Sequence, residues 1–166
     1  MSAPDRDNPA PLSASARKVQ DAIAARGFPH QVFELEAPVR TAADAARAVG
    51  CEVGRIAKSL VFRGARSGRA VLVIASGANR VAEEKIAALL GEPLEKAEPA
   101  FVREATGFAI GGIPPLGHAS RLETFLDEDL LRYDTIWAAA GHPNALFELR
   151  PAELLAMAGG RLTGVR

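Results

Sequence analysis

Ala57-Lys-Ser-Leu-Val-Phe62 and Ala70-Val-Leu-Val-Ile-Ala75, with Arg63-Gly-Ala-Arg-Ser-Gly-Arg69 between them, decide how this chain folds. Both runs are strand-like in composition, and the linker carries glycine among arginines, so the pair reads as a β-hairpin. The second run is apolar at every position. A strand with no polar face is covered on both sides, which makes it a central strand rather than an edge.

Working outward from the hairpin, Val19, Ala22 and Ile23 recur at helical spacing ahead of Gly27 and predict a helix over 14–26. His30-Gln-Val-Phe-Glu-Leu35 alternates polar and apolar and predicts a strand. Thr41 opens a helix that carries an acid, Asp44, three residues on and stops at Gly50. Beyond the hairpin, helices are expected over 81–90, ahead of Gly91, and over 99–106, where proline starts the first turn. Strands follow at 122–126, 135–140 and 145–149, then a closing helix at 151–158 before Gly159-Gly160. Hairpins interleaved with helices predict an α/β (α+β) chain with a mixed sheet.

The chain has 166 residues, within the roughly 100–200 typical of one domain. The expected organisation is a flexible tail over 1–12, rich in proline, small and charged residues, followed by a single domain over 13–166. With 48% apolar and 24% charged residues, it can bury a core. Lys plus Arg number 20 and Asp plus Glu number 20, so no whole-chain positive field exists to hold nucleic acid. Any such contact is local, and DNA binding is not expected. The single cysteine, Cys51, leaves no internal disulfide, and with no leader-like apolar start it points to the cytoplasm. No apolar run approaches the roughly 20 residues that span a bilayer.

Phosphate-loop, dinucleotide, HExxH and CxxC signatures are missing. The three histidines, His30, His118 and His142, stand far apart, and no metal or cofactor is expected. Three other features carry potential chemistry. Lys58 shares a strand face with Leu60 and Phe62, an expensive place to bury an ammonium. It either starts the strand and reaches solvent by its stem, or faces a cleft and meets an anion. In Gly107-Phe-Ala-Ile-Gly-Gly-Ile-Pro-Pro-Leu-Gly-His118, Gly111 and Gly112 permit close backbone approach while Pro114 and Pro115 stiffen the exit. Amides held in that way bind an oxyanion or carbonyl, and an ordinary turn is the alternative. Gly141-His142-Pro143-Asn144 is either a plain turn or one whose histidine bonds a ligand.

These features stand in the order that characterises a known family. From about Thr41 to Ala158 the chain resembles the YbaK/ProX superfamily, relatives of the editing domain inserted in bacterial prolyl-tRNA synthetases. The resemblance rests on the Thr41 helix, the lysine-led strand Ile56-Ala-Lys-Ser-Leu-Val-Phe62, the strand and helix over 71–90, the GxxxP loop Gly111-Gly-Ile-Pro-Pro115 and the Gly141-His-Pro143 turn. It implies a mostly antiparallel, barrel-like sheet flanked by helices. It also implies a trans-editing aminoacyl-tRNA deacylase, most often acting on tRNA for proline, with prolyl-tRNA synthetase as a partner in delivery. In such relatives the lysine positions the terminal nucleotide, here Lys58, followed by Ser59 where the alanine-editing subgroup has asparagine. The loop amides hold the reacting end, a role that falls on Gly111, Gly112, Ile113, Pro114 and Pro115. His142 matches a histidine near the aminoacyl group.

A pocket shaped for proline discriminates a slightly smaller amino acid by only roughly 1–3 kcal/mol, so a second site must hydrolyse the errors. The ester is already activated, and orientation, a water and oxyanion donors suffice without a catalytic triad. Ile113 and its apolar surroundings point to alanine or 2-aminobutyrate as the substrate side chain. Arg63, Arg66 and Arg69 form the evident basic cluster for tRNA, or else a solvated turn. The rival readings are a non-catalytic module that binds an aminoacyl-tRNA end or a free amino acid, and a deacylase of small-molecule esters or amides.

Overall fold

The strand Ala70–Ser76 (β3) is buried at every position, as its unbroken apolar run requires. Ile56–Gly64 (β2) pairs with it antiparallel, Lys58 opposite Ala75 and Phe62 opposite Val71, and Glu123–Asp127 (β5) pairs with its other edge in parallel. Outside β2 lie Ile136–Ala139 (β6), Ala145–Leu149 (β7) and Phe33–Glu34 (β1). Outside β5 lies Arg161–Thr163 (β8), and Leu94–Lys96 (β4) joins the far end of β2. The computed structural model describes residues 11–166. The tail expected over 1–12 thus lies outside the described residues except for Pro11 and Leu12, and Leu12 packs against the core.

Among the described residues four strand pairings are antiparallel and three parallel, so the sheet is mixed as expected. It is open rather than barrel-like: β1 and β8 end the order and do not pair with each other. The reason lies in how the faces are covered. Ala57, Leu72, Ile74 and Leu126 face a core completed by the helices Ala14–Ala25 (α1), Pro99–Thr106 (α4) and Pro151–Ala158 (α5). Val71, Val73, Ala75 and Phe125 face the other way, onto Ile86 of the helix Glu83–Leu90 (α3). The helix Ala42–Val49 (α2) covers Ile56, Trp137 and Leu146. Helices on both faces bury the apolar side chains without closure of the sheet.

The strand expected over 30–35 contracts to two residues. Gln20 of α1 takes over its backbone groups, donating to the His30 carbonyl at 2.9 Å and accepting from Val32 N–H at 2.8 Å. A side-chain amide there does the work of a strand partner. β4 and β8, three residues each, carry too little periodicity to be read in advance.

The hairpin turn is fastened by Glu92, whose carboxylate accepts from the Arg66 and Ser67 amides at 2.9 Å each and pairs with Arg69. The Ser67 amide first, then Arg66 and Arg69, lower its pKa to about 2. A carboxylate with a depressed folded-state pKa adds stability that is fully present above its unfolded value and is lost as pH falls through the folded value. Glu92→Gln should therefore destabilise the chain at neutral pH and converge with the parent near pH 2. Acid titration of both by circular dichroism checks this, and a constant difference down to pH 2 would contradict it. Arg63 meanwhile pairs with Glu95, and Arg69 reaches Glu123 as well as Glu92. Two of the three arginines of the expected basic cluster are thus met by carboxylates of their own chain.

One break in the sheet matters most. β6 pairs with β2 only at Ile56 and Ala57, and β4 only from Phe62 to Gly64. Over residues 58–61 that edge of β2 has no strand beside it.

Candidate active site

A two-lobed cavity opens at this bare edge. The first lobe, about 250 Å³, is lined by Lys58, Ser59, Gly111, Ile113, Pro143 and Leu146, with Arg40 and Thr41 at its side. The second, about 360 Å³, is walled by Leu60, Val61, Val102 and Ile113, with Glu83 and Lys96 also lining it. Ser59, Leu60, Ile110 and Ile113 belong to both. Ile110 is 55% exposed, an apolar side chain standing free where the lobes meet.

Lys58 is half-buried and, among the described residues, makes no hydrogen bond or ion pair. Burial lowers its pKa from the ordinary lysine value, and the carboxylate of Asp127 opposes that shift. The result is a partly desolvated cation beside an empty space. Such a group gains on meeting an anion because part of its hydration has already been lost.

The loop over 109–118 forms the facing wall. Gly111 has φ +91°, the left-handed region that favours glycine, and it is exposed while residues 112–116 are buried. The Gly112 N–H donates to the Ala109 carbonyl at 3.1 Å, and the Gly112 carbonyl accepts from Gly141 N–H at 2.7 Å. The N–H groups of Gly111 and Ile113 have no partner among the described residues, and both residues line the cavity. Ile110 N–H is likewise without a partner among the described residues, so the unpartnered loop amides that line the cavity are those of Ile110, Gly111 and Ile113, and Gly112 is the residue that fixes them. Behind the loop, the His118 side chain contacts the Pro114 carbonyl through Nε2 at 2.6 Å. Burial lowers the His118 pKa, favouring the neutral ring, which donates this bond through Nε2–H.

The structure thus gathers Lys58, Ser59, Gly111 and Ile113 around one space, and sets Gly112, Pro114, Pro115 and His142 apart from it. Gly112 offers no free amide, its N–H being taken by the Ala109 carbonyl. Pro115 lines a separate groove with Leu116 and His118. His142 does not line the cavity: its Nδ1 accepts from Asn144 N–H at 3.1 Å within the turn, and its neighbour Pro143 occupies the wall. The turn is tied in by Asn144, whose Oδ1 accepts from Val39 N–H at 2.9 Å beside the Arg40 and Thr41 wall. Leu146 and Arg40 carry no sequence signal of a site, and Pro143 and Ile110 enter the sequence reading only as members of their quoted segments. Leu146 alternates with Ala145 and Phe147 in an ordinary strand pattern, and nothing local marks it as a cavity residue.

The arrangement presents the Lys58 ammonium with Arg40 at its side, unpartnered loop amides and a largely apolar lobe to a ligand with an anionic group, a carbonyl oxygen and a small side chain. Among the described residues, no helix is long and apolar enough to cross a membrane.

Comparison with known proteins places the chain in a family. The family model for the aminoacyl-tRNA editing domain matches residues 36–157. The chain is 37% identical over 125 residues, 75% of its own length and 79% of the relative's, to the uncharacterised protein YwhH of Bacillus subtilis (strain 168). It is 30% identical over 128 residues, 75% of this chain and 76% of the other, to the "Putative Cys-tRNA(Pro)/Cys-tRNA(Cys) deacylase EbsC" of Enterococcus faecalis (strain ATCC 700802 / V583). Among solved structures, one described as "a putative trans-editing enzyme for prolyl tRNA synthetase" superposes with a TM-score of 0.89 at 53% identity, covering 94% of this chain and 99% of that one. A match over the whole lysine strand, the glycine–proline loop and the late turn leaves no ambiguity of family: the chain belongs to the aminoacyl-tRNA editing domains of the YbaK/ProX type.

Proposed function

We propose that the chain is a trans-editing deacylase that hydrolyses the ester of mischarged tRNA(Pro) carrying alanine or 2-aminobutyrate. The observation that carries this reading is the meeting of the Lys58 ammonium with the free Gly111 and Ile113 amides across one cavity at the bare edge of β2. In the reaction, Lys58 binds the phosphate of the terminal adenosine in the first lobe. The two amides receive the carbonyl oxygen as it gains charge. Water adds to the carbonyl carbon, the ester C–O bond breaks, and the ribose oxygen leaves with a proton, helped by the neighbouring hydroxyl. Free amino acid and uncharged tRNA result. The amides need no proton transfer of their own, and their preorganisation is what lowers the barrier.

The second lobe suits the substrate's side chain. Leu60, Val61, Val102 and Ile113 make most of it apolar, Ser59 is the one hydroxyl among its lining residues, and Glu83 and Lys96 are its charged groups. A side chain with a hydroxyl would lose water there for little return, whereas a methyl or ethyl group gains by burial. With much of the arginine cluster paired internally, the tRNA body is gripped weakly, and delivery by prolyl-tRNA synthetase fits that economy.

The test is a panel of tRNA(Pro) charged with alanine, 2-aminobutyrate, serine, threonine and cysteine, together with a minimal amino-acid ester. Alanyl and 2-aminobutyryl esters should be cleaved with kcat/KM about 10-fold or more above seryl and threonyl esters. Preference for the hydroxylated side chains would overturn the specificity. Equal turnover of the minimal ester would overturn the tRNA substrate, and binding without any ester loss would leave a recognition module.

A further inference from the structure

Asp127 ends β5 one step beyond Leu126, which lies beside Ile74 of β3. Alternation therefore puts its side chain on the face that carries Phe125, Val73 and Ala75. Ala75 in turn stands opposite Lys58 in β2. Lys58, Ala75 and Asp127 form a row across three adjacent strands, with the smallest side chain in the middle.

Asp127 is only 1% exposed, and its carboxylate is oriented from three sides. Ser76 N–H at 2.9 Å and Asn79 Nδ2 at 2.8 Å donate to Oδ2, and Asp129 N–H at 2.9 Å donates to Oδ1. Among the described residues no cation closes an ion pair on it, since Arg132 and Arg166 turn to Asp129 instead. Buried carboxylates are ordinarily paired or fully hydrogen-bonded. Here the donors fix the carboxylate, and the facing charge along the row is the ammonium of Lys58.

We propose that Asp127 is a positioning residue for Lys58, a fixed counter-charge that holds the ammonium in place at the cavity wall. The proposal rests on the reading that Lys58 grips the ligand. Burial of Lys58 favours the neutral amine, and the field of Asp127 works against that loss. Ala75 matters as a spacer, because a larger side chain would stand between the charges. Keeping Asp127 beyond ion-pair distance leaves the ammonium its hydrogen-bond donors for the ligand. The other charged groups that line the cavity are Arg40 in the first lobe and Glu83 and Lys96 in the second, and Asp129 follows Asp127 by two residues. Asp129 is engaged by Asn79, Arg132 and Arg166.

The experiment follows the Lys58 side chain directly, by lysine Cε and Nζ NMR titration of the full chain, with Lys58→Ala identifying the signal. Asp127→Asn should move the Lys58 midpoint about one pH unit lower. It should move the alkaline limb of kcat/KM for deacylation by the same amount. An unchanged Lys58 midpoint in folded Asp127→Asn overturns the proposal and leaves Asp127 a purely structural residue. Should that variant not fold, Asp127→Glu serves: the charge is kept but reaches one methylene further toward Lys58, so the midpoint should rise. A midpoint that stays or falls overturns the proposal. The NMR titration reads the coupling whether or not the chain cleaves an ester, so it fails independently of the deacylase reading.

Discussion

Lys58→Ala is expected to lower kcat/KM for mischarged tRNA by roughly 30-fold or more while changing stability by under about 1 kcal/mol. The two expectations come from one observation, that the Lys58 ammonium is partly desolvated and makes no ion pair or hydrogen bond among the described residues. Among the described residues it makes no ion pair, so its removal breaks none, and relief of its desolvation offsets the lost stem contacts and the longer-range attraction of Asp127. In the proposed reaction Lys58 meets the ligand's phosphate, so its removal should cost the complex a charge-assisted bond, ordinarily worth about 2–5 kcal/mol when one side of a buried pair is truncated. Lys58→Arg should restore only part of the activity: a planar guanidinium on a longer stem does not replace a compact ammonium fitted beside β2. Steady-state deacylation with thermal melting of the same preparations checks both numbers. Full activity in a folded Lys58→Ala would remove the lysine from the reaction, and a collapse in melting temperature would make its role structural.

How much of this could be read from the residues alone depends on whether the signal was local. The central strand is legible because six consecutive apolar residues, Ala70 to Ala75, leave no polar face. The bounds of α4 and α5 coincide with prolines at their first turns, a signal that needs no tertiary contact. By contrast β1 was shortened by one glutamine side chain reaching from another element, and no pattern within 30–35 announces that. An open sheet is not visible locally either, because closure depends on whether two distant edge strands meet.

The candidate site divides in the same way. Lysine in an apolar row and glycines ahead of prolines are conspicuous as chemistry, so Lys58 and the loop stood out before any coordinates. Which amides of that loop remain free depends on Ala109 and Gly141, contacts made only in three dimensions. His142 attracted notice because it is a histidine, yet its ring is taken up in its own turn and Pro143 supplies the wall. Asp127 does not stand out in the sequence, because an acid just past a strand reads as a turn residue, and its side chain does accept from the Asp129 amide. Its register opposite Ala75 and Lys58 is a property of the sheet.

Gly112→Ala should be the most damaging substitution in the loop, although Gly112 neither lines the cavity nor has a free amide. A Cβ at this position would lie 2.8 Å from the His142 amide nitrogen and 2.9 Å from the Gly141 carbonyl carbon. Both are backbone atoms of a turn anchored by Asn144, so neither can rotate away as a flexible side chain would. The loop and the turn must separate, which strains the bond from Gly141 N–H to the Gly112 carbonyl and moves the Gly111 and Ile113 donors together. Losing one preorganised oxyanion donor typically costs about 2.7–4 kcal/mol, on the order of 10²–10³-fold in kcat. Displacing two should reach at least that, together with a fall in stability from the opened contact. Gly111→Ala makes the informative comparison. Its Cβ would meet only Pro143, at 3.6 Å, so it suffers the strain of φ +91° without the backbone collision. Gly111→Ala should therefore retain more activity than Gly112→Ala, and the ranking can be read from single-turnover rates on one charged tRNA. The opposite ranking would mean that conformational freedom at the exposed glycine, and not the close approach of the two turns, sets the donor geometry.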